Sequence, residues 1–216
     1  MDIHPPRQPI HTVKDFLLHL LTITVGLFIA LSLEAAVESL HHRHLVRDAR
    51  ENLHREITAN HQQYSMNAKW VAENREQLAR NIELLRDLRK GKQLDPANLG
   101  WHWQWNSFSG VAWRAARDNG AVSYMEPDLI SSYSWIYLQQ DYINSTALAI
   151  VSEESKAGAA LEAAADPSNL SALEIQTLLV KSAEINLSLS TLQSTMKGLE
   201  DMYIEQSQKR WGNGGS

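Results

Sequence analysis

The residues best able to do chemistry sit just past an apolar run near the N-terminus. Glu38-Ser-Leu-His41 sets a carboxylate and an imidazole three apart, on one face of a helix, and His42 and His44 follow directly. Glu-x-x-His is half of a carboxylate-bridged di-metal site, which needs two such pairs and two further carboxylates. The chain has no second pair, so a copy would have to come from another subunit. Imidazole clusters also take zinc or copper, which makes Glu38, His41 and His44 the candidate metal ligands. The alternatives are a hydrated collar beside a membrane, or one that changes charge near its headgroups around pH 6.5.

A second cluster is aromatic. Trp101-His102-Trp103-Gln104-Trp105 spaces three tryptophans two apart, so an extended chain would present them on one side. They are either the cap of a helical core or an exposed docking surface, because aromatic clusters favour interfaces. Catalytic signatures are missing: there is no glycine-rich phosphate loop, no Gly-x-Ser-x-Gly and no His-Glu-x-x-His. No catalytic residue, enzymatic activity or cofactor is expected.

These clusters must be positioned by something, and the composition points to helices. The 216 residues include no cysteine, which excludes disulfides, thiolate metal sites and cysteine nucleophiles. The net charge of −5 gives no support for a nucleic-acid partner. Residues 1–40 carry −2, residues 41–92 carry +4 and the remainder −7. A basic middle and an acidic remainder are expected to attract each other on folding.

Phe16 to Leu33 is an apolar run of eighteen residues whose one titratable group is His19. At 1.5 Å per residue it covers about 27 Å, close to a bilayer core. It reads as a single transmembrane anchor, extended past Glu34 to residue 37. A cleaved signal peptide with an Ala30-x-Ser32 site is the rival, but its apolar core would be unusually long. His19 and Glu34 are the intramembrane polar candidates, both near enough to an end to reach the interface. Thr22, Gly26 and Ala30 form a small-residue stripe that permits close helix contact. Arg43, Arg47 and Arg50 after the span outnumber Arg7 and Lys14 before it. That count favours a cytoplasmic C-terminus, although long domains translocate regardless.

From Glu38 to Leu88 there is neither Pro nor Gly. Asn60, Asn67, Asn74 and Asn81 recur every seventh residue, interleaved with Ile57, Tyr64, Val71, Leu78 and Leu85. An inward asparagine fixes the register of packed helices at some expense of stability; the alternative is an exposed polar strip. Beyond the connector, a short helix is expected over 106–119, stopped by Gly120. Pro127 opens a helix to about residue 165, and Asp166-Pro167-Ser168 breaks it. Ser171-x-x-Glu174 is a capping box before a last helix. That helix carries the clearest seam, including Ile185, Leu189 and Leu192, and Leu173, Val180 and Leu187 widen its apolar face.

The expected fold is all-α: an N-terminal transmembrane helix continuing into an elongated antiparallel helical bundle or coiled coil. The parts are a tail (1–15), an anchor (16–37), a stem (38–90), a connector (91–126), a hairpin (127–208) and a flexible tail (209–216). The hairpin is expected to run down and then up against the stem.

Val25-Gly-Leu-Phe-Ile-Ala-Leu31 before a charged helix, Trp113-x6-Gly120, Tyr124-Met125-x-Pro127 and Tyr133…Tyr137 together resemble a widespread bacterial group of unknown function. Its members have an N-terminal anchor and a helical domain. The resemblance implies a single-pass protein of the bacterial inner membrane, with its N-terminus cytoplasmic and its helical domain periplasmic; it carries no site residues. The expected function is a non-enzymatic scaffold or accessory subunit that self-associates or docks on a larger membrane complex. The alternative is a membrane-anchored sensor of a small ligand or metal held between its helices. Its expected partners are the lipid bilayer and either further copies of itself or a larger complex.

Overall fold

A computed structural model describes residues 13–93, 99–101, 104–164 and 166–208. The described residues are all-helical, with no strand among them. Four helices follow in order: α1 (Val13–Arg89), α2 (Val111–Asp118), α3 (Pro127–Ala164) and α4 (Ala172–Gln208). Short 3-10 turns at Ala121–Tyr124 and Pro167–Asn169 lead into α3 and α4. The chain divides into two compact units, Met1–Asp48 and Ala49–Ser216.

The first unit is the N-terminal part of α1. Its most apolar window has a mean hydropathy of 2.3, none of it is buried, and it is long and apolar enough to cross a membrane. Three hydroxyls interrupt the apolar run, and each is satisfied within its own helix. Thr22, Thr24 and Ser32 donate to the carbonyls of Leu18, Leu20 and Phe28 at 2.7–2.9 Å. This back-bonding lets hydroxyl side chains sit in an apolar helix without exposing an unmet donor.

In the second unit α1, α3 and α4 each bury one face. That of α1 runs Leu53, Ile57, Asn60, Tyr64, Asn67, Val71, Asn74, Leu78, Asn81, Leu85. Its steps of three and four are those of a helix packed on neighbours. The helix stops where the sequence stops it. Gly91, at φ +82°, takes the left-handed turn that satisfies the last carbonyls, and Lys92 N–H reaches back to Asp87 O. At the other break Asp166 Oδ1 accepts from Ser168 N and Oγ. Ser171 N donates to Glu174 Oε2 at 2.7 Å while Glu174 N donates to Ser171 Oγ at 3.3 Å, a reciprocal cap for α4.

The direction of α3 corrects the expected topology. Glu56 bonds to Tyr137, Asn60 to Gln140 and Asn74 to Glu154, so numbers rise together and α3 runs parallel to α1. The pairs Tyr64–Glu200, Arg75–Gln193 and Arg89–Gln176 run in opposite senses, so α4 is antiparallel to α1. Lys181 with Glu153 and Tyr203 with Gln140 make α4 antiparallel to α3 as well. The expected down-stroke of residues 127–165 is absent because the connector has already made it. The described residues between α1 and α2, 99–101 and 104–110, lie back along α1 without helix, and α3 starts level with Arg50, whose Nη1 is 3.8 Å from Glu126 Oε1.

Candidate functional site: a strap held by side-chain amides

The four heptad asparagines are all buried, at 4% exposure or less. Three of them hold the returning strap. Asn60 Nδ2 donates to Ser109 O at 2.8 Å while Ser109 N donates to Asn60 Oδ1 at 2.9 Å. Asn67 pairs the same way with Asn106, at 2.8 and 3.4 Å, and Asn81 with Gly100, at 2.6 and 3.3 Å. Each carboxamide supplies one acceptor and one donor to a single backbone residue, as a neighbouring strand would. The register is regular: seven residues of α1 match three of the strap. Seven helical residues rise about 10.5 Å and three extended ones about 10 Å, so the two ladders stay in step.

Asn144 of α3 clasps the strap from the other side. Its Oδ1 accepts from Phe108 N at 2.9 Å and from Trp105 Nε1 at 3.3 Å, and its Nδ2 donates to Phe108 O at 3.0 Å. Glu56 closes the far end. It accepts from Ser109 Oγ, from Ala112 N in the first turn of α2 at 3.0 Å, and from Tyr137 Oη at 2.8 Å. A carboxylate there caps α2 from another helix and meets its positive end. Burial, and then the nearby Glu56 charge, hold the Tyr137 phenol well above its ordinary value. Trp113 stacks on Tyr137 at 5.6 Å and anchors α2 to α3.

Asn74 is occupied differently, donating its amide to Glu154 of α3. Glu154 is fully buried, and its Oε2 has no partner among the described residues. Burial raises its carboxyl to about 7, opposed by the Asn74 hydrogen bond. Asn60 also donates to Gln140 Oε1 at 3.3 Å, and Gln140 Nε2 donates to Tyr203 Oη at 2.9 Å. A polar chain therefore crosses the core from the strap to α4.

Trp101 is buried and Trp105 half-buried; Trp103 and the tails 1–12 and 209–216 lie outside the described residues. Trp105 meets Trp70 and Phe108 edge-on at 6.1 and 5.8 Å. Trp70 and Trp101 line an open cavity of about 560 Å3 with Glu73, Gln77, Arg80 and Gln104. The α4 residues Ile185, Leu189 and Leu192 are buried.

The candidate metal ligands are not gathered. Glu38 Oε1 lies 3.9 Å from Nε2 of His42, not His41, and His44 Nδ1 faces Arg47 Nη2 at 3.4 Å. Among the described residues no three His, Asp or Glu side chains converge as a metal would require. His19 and Glu34 are exposed on α1. Between the basic stem and the residues after it, Arg50 is 3.8 Å from Glu126, and Arg75 and Arg89 bond to the neutral Gln193 and Gln176.

Sequence reasoning missed Asn144 and Glu56. Asn144 sits one turn past Gln140, a second carboxamide beside the buried seam. Glu56 is a carboxylate directly before the buried Ile57. No family model, curated protein or solved structure matches the chain. The resemblance described above rests on its residues alone.

Proposed function

We propose that the protein is a single-pass membrane-anchored scaffold or accessory subunit, whose helices form a bundle that self-associates or docks on a larger membrane complex and does no catalysis. The observation that carries this reading is the second apolar line on α4. Leu173, Val180 and Leu187 are 76%, 48% and 70% exposed, at the same seven-residue spacing as the buried seam beside them. A helix with two apolar lines has room for another neighbour. The unburied apolar window of α1 supports the anchor. The bacterial inner membrane and a cytoplasmic N-terminus belong to this proposal, and the cysteine-free chain allows a clean test. Single cysteines introduced at exposed position 15 and at exposed position 119, just past α2, should be labelled from opposite faces of the membrane.

Cross-linking and native mass spectrometry of the full chain in detergent test the scaffold reading. A complex that Val180→Glu with Leu187→Glu dissociates is expected. A strictly monomeric protein that recovers no partner would overturn it. A second reading, the membrane-anchored ligand sensor, is supported by a small, partly open cavity between α1, α3 and α4 beside Tyr133.

A further inference from the structure

We infer that the outward line of α3 through Trp135, Leu138 and Tyr142 is a docking site for a partner helix whose apolar stripe is flanked by lysine or arginine. The inference rests on the scaffold reading and gives it a second surface and a partner chemistry.

Trp135, Leu138 and Tyr142 are 60%, 58% and 54% exposed. Ile136, Tyr137, Gln140 and Ile143, between and beside them, are buried, so the core takes the other face of the same helix. Steps of three and four set the exposed three on one line about 10 Å long. Tryptophan and tyrosine are the side chains most enriched at the centres of binding surfaces. At ~200 Å2 for a large side chain the three expose roughly 300–400 Å2, the size at which an apolar patch on a monomer is commonly functional. A stable interface between two globular copies needs about 800 Å2 on each side, whereas two turns of an amphipathic helix match this line in length and spacing.

The charges around the line have one sign. From Asp118 to Ser155 the chain carries six acidic residues and no Lys, Arg or His. Glu126 lies 3.8 Å from Arg50, Glu153 meets Lys156 and Lys181, and Glu154 is buried. Asp128 and Asp141 are exposed beside the line, one seven residues before Trp135 and the other next to Tyr142. Asp128 also meets the positive end of α3 in its first turn, but Asp141 stands in the middle of the helix, where the backbone has no use for its charge. A second copy pairing by the same face would set these acids against their own images. The exposed line of α4 suits the face no better: Glu174 and Glu184 lie along it, and its one base, Lys181, is held by Glu153 and Glu184. An anionic lipid surface is repelled in the same way. A helix with bases beside its apolar stripe is the complement.

The test uses the full chain in phosphatidylcholine nanodiscs, with empty nanodiscs as the blank. The probes are two fluorescein-labelled amphipathic peptides about five turns long. Both carry leucines at steps of three and four; one has lysine at the flanking positions and the other glutamate. The lysine peptide should bind saturably above the blank, more weakly at about 0.5 M salt, and the glutamate peptide should not bind. Trp135→Ser with Tyr142→Ser should weaken the lysine peptide about ten-fold. Asp141→Asn, which keeps the side-chain volume at an exposed site, should weaken it about two- to three-fold with Tm unchanged within about 2 °C. Equal binding of the two peptides would overturn the charge assignment. Binding of neither above the blank would overturn the docking site, while the scaffold reading would still stand or fall on cross-linking of the Val180→Glu, Leu187→Glu chain. A homodimer that Trp135→Ser with Tyr142→Ser dissociates would give the face to a second copy and overturn the inference.

Discussion

Between Phe16 and Leu33, helix α1 turns apolar side chains in every direction; between Leu53 and Leu85 it turns them in one and sets an asparagine beside them every seventh residue. The first stretch meets its few polar needs alone, each hydroxyl bonding to its own helix four residues back. The second exports its polar groups to other segments: a strap, a glutamine and a glutamate. One covalent helix thus shows what its surroundings can supply. A stretch suited to lipid has no partners for side-chain amides, whereas a stretch inside a protein core can commit four of them.

The largest expected effect breaks the first half of this contrast. Replacing Leu27 and Ile29 by Arg adds about 3 kcal/mol per residue to insertion at the middle of a span. The double variant should leave the membrane fraction on alkaline extraction, whereas Leu53→Arg should remain with it and misfold. Retention of the double variant would mean that the apolar stretch is not an anchor.

The next effect breaks the second half. Asn60→Ala strands the amide and carbonyl of Ser109 and one oxygen of Gln140, at a cost of about 3 kcal/mol. For a unit of this size that lowers Tm by roughly 6–12 °C. Asn52→Ala, on the exposed side of the same helix, should change Tm by less than about 2 °C. Equal effects at the two sites would mean that the clasps contribute nothing particular.

Glu154 sharpens the contrast through pH. Its carboxyl is ordinary when unfolded, at 4.5, and about 7 when folded. The folded chain holds the proton more tightly between those values, so stability is complete below the lower one and lost as pH rises through the upper. That loss amounts to about 3 kcal/mol at most. Denaturant unfolding at pH 5 and pH 8 should show it, and Glu154→Gln, which keeps an oxygen for Asn74, should remove it. A slope that survives the substitution would assign it to another group. The smallest effect is at the surface, where Ser171→Ala should cost α4 about 1 kcal/mol through its lost cap. A loss as large as that of Asn60→Ala would mean that this turn does more than begin a helix.

The helices were readable because their signals are local. Gly91, Gly120, Pro127 and the Ser171–Glu174 pair each act within a few residues, and α1, α3 and α4 end within a few residues of where those signals put them. The period of the asparagines was equally plain. What they bind was not, because three of them clasp backbone groups 19 to 49 residues away, which have no sequence signature, and the fourth meets a side chain 80 residues away. The direction of α3 was misread for a related reason. Alternating direction is the economical guess for helices joined by short links, but the link after α1 is long enough to retrace it in extended form. Glu56 and Asn144 went unnoticed because a lone carboxylate and a lone carboxamide look alike whether they face water or a strap.

The matched rise of helix and strap also restricts how such a molecule can change size. Adding one residue between Asn106 and Ser109 would put every clasp beyond it out of step, and adding one turn to α1 alone would do the same from the other side. Growth is tolerable only in parcels: seven residues in each long helix, accompanied by three in the extended segment. A deletion or insertion of any other size should be felt along the whole length of the core, not just where it occurs.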